Sequence, residues 1–258
     1  METALVTGAT RGVGRGVAIS LAESGFKVFA TGRHIKESDL PPVVTRIPCD
    51  HLNNDQTDAA FSHVTREVGS LDVLINCCWG GYERMVEDGN YTWRLPFWEQ
   101  PGHRWISMMD AGVRAGFVCA AHAARMMLPR RRGLIVNLSY WGAQRYLGNA
   151  IYGVAKAATD KMTGDMAHEL RPHGVTVISL YPGLGRTESV MAAANDGWLD
   201  LSNSESPEFI GRVVAVLARE PALIQRTGQV LIAAAVAVEL GVRDIDGRQP
   251  TPLTLEAA

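Results

Sequence analysis

The chain has 258 residues, 47% of them hydrophobic, with 25 Lys and Arg against 27 Asp and Glu. Such a length and apolar content suffice for one large core, and alternating strands and helices can fill them as a single α/β domain. The net charge of -2 excludes the basic footprint of a nucleic-acid binder, and the Arg130-Arg131-Arg132 run, set between Pro129 and Gly133, reads as a solvated turn.

The first predicted strand, Thr3 to Thr7, has no charged leader before it and enters Gly8-Ala9-Thr10-Arg11-Gly12-Val13-Gly14, after which Arg15 to Ser24 reads as a helix closed by Gly25. Glycines at a strand-to-helix turn let the backbone approach a pyrophosphate, whose charge the helix N-terminus favours. A second strand at Lys27 to Thr31 ends in Gly32-Arg33. An NAD-specific site puts a carboxylate there. Arg11 and Arg33 instead suit a 2′-phosphate, so NADPH/NADP is expected over NADH. A third strand is expected at Val43 to Ile47, followed by Asp50, which either accepts a hydrogen bond from an adenine amine or caps the next helix, near Asp55 to Val68. The apolar run from Leu71 to Asn76 has the composition of a strand buried on both faces.

Beyond Cys77-Cys78-Trp79 lies an aromatic insertion at about 82–104, with Tyr82, Tyr91, Trp93, Phe97 and Trp98. Together with Trp141, Tyr146 and the loop after Thr187, it is expected to line a pocket for a bulky, ring-bearing ligand, unless its rings form only a satellite cluster. A long helix is expected from His103 to Leu128, stopped by Pro129. The fifth strand, Leu134 to Leu138, delivers Ser139. A helix to about Leu170, a strand at Val175 to Leu180, a small-residue lid at about 187–206, a helix near Glu208 to Ala218 and a strand at Gln229 to Ile232 complete the chain. The cysteines Cys49, Cys77, Cys78 and Cys119 have no disulfide or CxxC spacing, and no histidine pair has metal-ligand spacing. The expectation is a cytoplasmic chain with reduced thiols, no metal and no membrane insertion, there being no apolar run of spanning length.

Chemistry concentrates at Tyr152-Gly153-Val154-Ala155-Lys156. Residues four apart share a helix face, so the ammonium of Lys156 can draw the phenol of Tyr152 down from its ordinary pKa of ~10 toward a range useful for proton transfer. Ser139, thirteen residues earlier at a strand end, can hydrogen-bond a carbonyl oxygen.

The glycine turn TGATRGVG, Ser139, YGVAK and the Pro182-Gly183…Thr187 turn stand in an order that resembles the short-chain dehydrogenase/reductase family over nearly the whole chain. Within it, Gly32-Arg33-His34, FWEQP, YGVAKAA, AHELRPHGV and RDIDGR are similar to animal carbonyl reductases. The resemblance implies a Rossmann-like doubly wound parallel sheet of about seven strands and an oxidoreductase acting on a carbonyl or alcohol. It implies Tyr152 as acid, Lys156 on the nicotinamide ribose and Ser139 on the carbonyl. Gly8, Gly12 and Gly14 would cradle the diphosphate, Asp50 and Asn76 the adenine side, and Thr187 the carboxamide, with Thr10, Val13, Pro182 and Gly183 also binding the cofactor. A homodimer or homotetramer paired through the two long helices is implied as well. Three positions depart from the family pattern. Its NNAG reads Asn76-Cys77-Cys78-Trp79, its relay asparagine aligns with Gly112, and its serine pair is Ser139-Tyr140, which leaves Tyr140 as the alternative hydroxyl. An idle dinucleotide-binding protein is the competing class. A halohydrin-lyase-like enzyme is disfavoured by the intact glycine turn and Lys156.

Overall fold

A computed structural model describes residues 1–195, 197 and 200–257. Its centre is a parallel sheet of seven strands: β1 (Thr3–Thr7), β2 (Lys27–Gly32), β3 (Thr45–Pro48), β4 (Val73–Asn76), β5 (Gly133–Leu138), β6 (Val175–Tyr181) and β7 (Val230–Ile232). They lie in the order β7-β6-β5-β4-β1-β2-β3. The expected doubly wound fold is present.

Helices cover both faces, which is why the central strands are apolar throughout rather than alternating. In β1, Ala4 and Val6 join the core under α1 (Gly12–Glu23) and α6 (Pro207–Leu217), while Leu5 points the other way, into the core under α2 (Asn54–Val68) and α3 (Ala115–Met127). The chain runs outward from β1 to β3 on one side and from β4 to β7 on the other. The carboxyl ends of β1 and β4 therefore flank the topological switch point, where open α/β sheets bind their ligands.

Several boundaries differ from expectation, for local reasons. The third strand is shifted to Thr45–Pro48, because Val43 sits in a turn with 70% of its surface exposed. The long helix opens with one turn at His103–Trp105, is wound as a π-helix over Ile106–Arg114 and turns α-helical only at α3. Such wide turns accompany functional sites. Here the wide segment carries Gly112, whose absent Cβ would lie 2.8 Å from the Trp79 indole. The insertion contains a small hairpin, Val86–Glu87 with Asn90–Tyr91, turned by Asp88 and Gly89 at φ 50 and 77. That is the Asp-Gly turn favoured for two-residue hairpins.

The lid expected at about 187–206 holds a helix, α5 (Glu188–Asn195), and Ser204–Glu205, which pairs with Leu184–Gly185; Asp196, Trp198 and Leu199 lie outside the described residues. A last helix, α7 (Ala233–Leu240), follows β7. Among the described residues no helix is long and apolar enough to cross a membrane, and no group of three or more ligating side chains could hold a metal.

Candidate active site

The glycine turn is shaped by contacts that exclude side chains. Thr7 Oγ1 accepts the N–H groups of Cys77 and Cys78 at 3.1 and 3.4 Å, stitching the ends of β1 and β4 together. Gly8, at φ +64, passes so close that a Cβ would lie 2.9 Å from the Cys77 carbonyl. A Cβ on Gly14 would fall inside contact with the Gly8 carbonyl, and Thr10 Oγ1 fills the space where residue 32 would carry its own. Val13 packs near Gly185, and Gly12 faces the Thr187 methyl.

At the mouth of this turn the Gly12 N–H donates to Glu188 Oε2 at 3.0 Å, and Arg15 pairs with the same carboxylate at 3.2 Å. The N-terminus of α1 therefore already accommodates an anionic oxygen. A dinucleotide diphosphate fits that seat by charge and by the donors that face it.

Arg11 and Arg33 converge on a single carboxylate. Glu83 Oε1 lies 2.6 Å from Arg11 Nη2, and Glu83 Oε2 lies 3.6 Å from Arg33 Nη2. Asp50 does not cap α2, a role taken by Asn53 through the Gln56 N–H; its carboxylate closes a turn on the Leu52 N–H at 3.0 Å. The Asn76 amide donates to Asn137 Oδ1 at 2.8 Å and to the Gly116 carbonyl at 3.2 Å. It braces β4 against β5 and α3, with its own Oδ1 buried and without a partner.

The helix of the Tyr/Lys pair, α4 (Ala150–Leu170), is capped by Asn149, whose Oδ1 accepts the Tyr152 N–H at 3.0 Å. The Asn149 amide also donates to the Trp93 carbonyl at 2.9 Å and to Gln100 Oε1 at 3.0 Å. One side chain thus starts the helix and anchors the insertion over it. Tyr152 and Lys156 are buried, at 3% and 7% exposure. Gly142, in the turn Trp141–Ala143 after β5, leaves room for the Tyr152 ring, since a Cβ there would come within 2.7 Å of Cδ1.

Aromatic rings close over the Tyr152 phenol. Trp93 lies 5.4 Å, Trp79 5.8 Å and Tyr82 6.1 Å from the Tyr152 ring, and the Tyr82 hydroxyl donates to Tyr152 Oη at 3.2 Å. Burial pushes the Tyr152 phenol well above its ordinary pKa, with Tyr82 adding to the rise. The lowering expected from Lys156 is missing in this arrangement. Its ammonium sits 4.0 Å over the Trp79 ring and donates to the Leu138 carbonyl at 3.4 Å, and burial brings its pKa down to about 8. Ser139 is buried and donates to the Lys156 carbonyl at 3.3 Å, while Tyr140 packs in the same cluster as Tyr152.

The rest of the aromatic set divides. Trp141 is buried edge-on against Tyr181, Phe97 and Trp98 pack on each other with 69% and 71% exposure, and Tyr146 is exposed. Beneath the insertion Arg104 is fully buried, donating to Thr92 Oγ1 at 2.6 Å and lying 5.8 Å from the Trp93 ring.

Pro182 and Gly183 leave the end of β6 beside Glu205, a residue that its polar lid sequence did not single out. The Gly183 N–H donates to Glu205 Oε1 at 2.9 Å, and Oε2 is buried without a partner. Burial raises this carboxyl to about 8, with Asp244 adding to the rise while the Gly183 N–H and Arg186 oppose it. A carboxyl whose folded pKa exceeds its unfolded value contributes stability that is complete below about 4.5 and is lost as pH rises through about 8. Glu205→Gln keeps an acceptor for Gly183 without the titration. Its melting temperature should therefore fall less steeply than the wild type's between pH ~6 and ~9. Parallel slopes in thermal melts would show that Glu205 carries no such linkage.

With this geometry in view, comparisons with known proteins are specific. The short chain dehydrogenase family model matches residues 2–197. The chain is 37% identical to dehydrogenase/reductase SDR family member 1 of Mus musculus and 36% identical to that of Homo sapiens, in each case over 96% of this chain and 84% of the relative. Among solved structures, ElxO with NADP bound superposes with a TM-score of 0.76 at 21% identity, covering 90% of this chain and 96% of that one.

Proposed function

Because this chain belongs to the short-chain dehydrogenase/reductase family, we propose that it is an NADPH-dependent reductase that converts a bulky, apolar ketone, quinone or aldehyde to an alcohol. The observation that carries this reading is the burial of Tyr152 and Lys156 on one face of α4, beside the strand end that bears Ser139. Its supports include the carboxylate-filled seats at Gly12 and at Arg11 and Arg33, whose donors and positive charge suit phosphate oxygens. The relatives named dehydrogenase/reductase SDR family member 1 add to it.

Gly8, Gly12 and Gly14, with Thr10 and Val13, would hold the diphosphate. Arg11 and Arg33 would hold a 2′-phosphate, Asp50 and Asn76 would sit on the adenine side, Lys156 would hold a ribose, and Pro182, Gly183 and Thr187 would meet the carboxamide. NADPH, when bound, supplies the hydride. The chain's own part is proton supply and orientation. Tyr152 gives its phenolic proton to the carbonyl oxygen, which takes the place now held by the Tyr82 hydroxyl. Ser139 would orient that oxygen through its hydroxyl, which now donates to the Lys156 carbonyl. Trp93 and Tyr82 offer an apolar wall, and a ligand matching it gains ~25 cal/mol per Å² before association costs.

We place the catalytic machinery in one domain spanning 1–258, which includes the insertion at 82–104 and the lid loop at 187–206. Exposed Phe117 on α3 and Val154 on α4, at 55% and 50%, support a homodimer or homotetramer through those helices. The free cysteines are in keeping with a cytoplasmic setting.

A panel of quinones, steroid-like and aryl ketones and small ketones, assayed by NADPH consumption and in reverse with the alcohols, tests the proposal. Turnover should favour the bulky carbonyls through KM. The rings covering Tyr152 and the glycine at position 112 favour one rival, an idle dinucleotide binder. Binding of the dinucleotide without turnover anywhere in the panel would establish that rival.

Cofactor choice is separately testable. NADPH should bind more tightly than NADH by ~1–3 kcal/mol if a guanidinium pairs with the phosphate. Isothermal titration should show that gap shrinking in Arg33→Ala. Equal dissociation constants in the wild type would remove the NADP assignment.

A further inference from the structure

Glu83 joins two places that are otherwise far apart in the chain. Its carboxylate bridges Arg11 and Arg33, at 2.6 and 3.6 Å, and its preceding residue, Tyr82, holds the hydroxyl of the acid Tyr152 at 3.2 Å. Tyr82 and Glu83 are consecutive, so the ion pairs of Glu83 and the hydroxyl contact of Tyr82 hold the same short stretch of backbone, and loss of the ion pairs removes one of its two anchors. A monophosphate ester carries close to two charges and three acceptor oxygens, against one charge and two oxygens for a carboxylate. It therefore outcompetes Glu83 for the same pair of arginines.

The catalytic end explains why displacement matters. Tyr152 is 3% exposed, while Tyr82, which covers it, is 50% exposed and so lies on the solvent side of the acid. While the Tyr82 hydroxyl sits 3.2 Å from Tyr152 Oη, it fills the space that a carbonyl oxygen must enter to reach the phenol.

We propose that Glu83 stands in for the 2′-phosphate in the free protein and latches Tyr82 onto Tyr152, so that a 2′-phosphorylated dinucleotide unlatches the insertion and opens the acid to substrate. The proposal rests on the NADPH reading given above. It makes Glu83 a specificity-determining residue, because a dinucleotide without the phosphate leaves the latch closed. It also orders binding, with cofactor before carbonyl.

The test uses hydrogen exchange across the insertion of the full chain, where the Thr92 N–H donates to the Met85 carbonyl at 2.8 Å and the Leu95 N–H to the Thr92 carbonyl at 3.3 Å. The probes are 2′,5′-ADP, which has the phosphate but no nicotinamide, and 5′-AMP, each at saturation by calorimetry. In the wild type, 2′,5′-ADP should speed exchange over residues 82–95 and 5′-AMP should not. Glu83→Gln should exchange faster there without any ligand, by about 2- to 5-fold, the range set by losing one exposed ion-pair cluster. Wild-type exchange rates in unliganded Glu83→Gln, or tight binding of 2′,5′-ADP with no change in the insertion, would overturn the latch while leaving the NADPH reading intact. Failure of 2′,5′-ADP to bind the wild type more tightly than 5′-AMP would remove both.

Discussion

Tyr152→Phe should lower kcat by ~10²- to 10⁴-fold, the range of a lost general acid, while the dissociation constant for NADPH stays within about 2-fold of the wild type's. The substitution removes one hydroxyl and leaves a ring of the same shape among Trp79, Tyr82 and Trp93. Its former partner on Tyr82 belongs to a half-exposed residue, so the loss leaves little unsatisfied in the interior. Burial holds the Tyr152 phenol above its ordinary pKa of 10, so it is protonated throughout the neutral range. Reduction, which consumes that proton, should therefore be flat in kcat between pH ~6 and ~9, and alcohol oxidation, which needs the phenolate, should rise with pH. Steady-state kinetics in both directions, with calorimetry for the cofactor, decide the matter. A Phe variant that kept most of its activity would pass the role of acid to Tyr140, which packs in the same cluster.

The second large effect lies far from the chemistry, where α1 crosses α6. A Cβ on Gly16 would fall inside contact with the Pro207 carbonyl carbon and 2.6 Å from the Glu208 N, and one on Gly211 would lie 2.8 Å from the Val17 Cα. These obstacles are backbone atoms, which cannot swing aside as a flexible side chain can. Ser20 also donates to the Glu208 carbonyl at 2.9 Å, so the crossing is pinned in register. Gly16→Ala should destabilise by a net ~1–3 kcal/mol, even after the better helix propensity of alanine, and lower the melting temperature by about 2–10 °C. Gly164→Ala provides the contrast. Position 164 lies mid-helix in α4 with nothing within 4 Å of the new methyl, so the same substitution should stabilise by up to ~1 kcal/mol. Thermal melts of the two variants moving in the same direction would show that the α1–α6 contact is not what requires glycine.

Both results bear on what the chain's letters carry. The βα alternation was legible because parallel strands covered on both faces must be apolar runs, as in Leu134 to Leu138, and because glycines and prolines punctuate them. The meeting of Tyr152 and Lys156 was legible because a spacing of four puts two residues on one helix face whatever the rest of the fold does. Arg11 and Arg33 could be named in the sequence, since each adjoins a strand end facing the switch point.

Tertiary structure alone decided what those groups touch. No spacing rule links Glu83 to Arg11 or Arg33, or Tyr82 to Tyr152, since they are 72, 50 and 70 residues apart and meet only through the path of the insertion. The direction of the Tyr152 pKa likewise followed from burial beneath Trp79 and Trp93, which outweighs the nearby ammonium once Lys156 turns onto the indole. Glu205 read as part of a polar lid, yet pairing beside Leu184–Gly185 buries its carboxyl under the loop of Gly183. Local pattern specifies which face a side chain takes. Desolvation and charge pairing depend on every segment that arrives at that face, and only the completed fold brings those segments together.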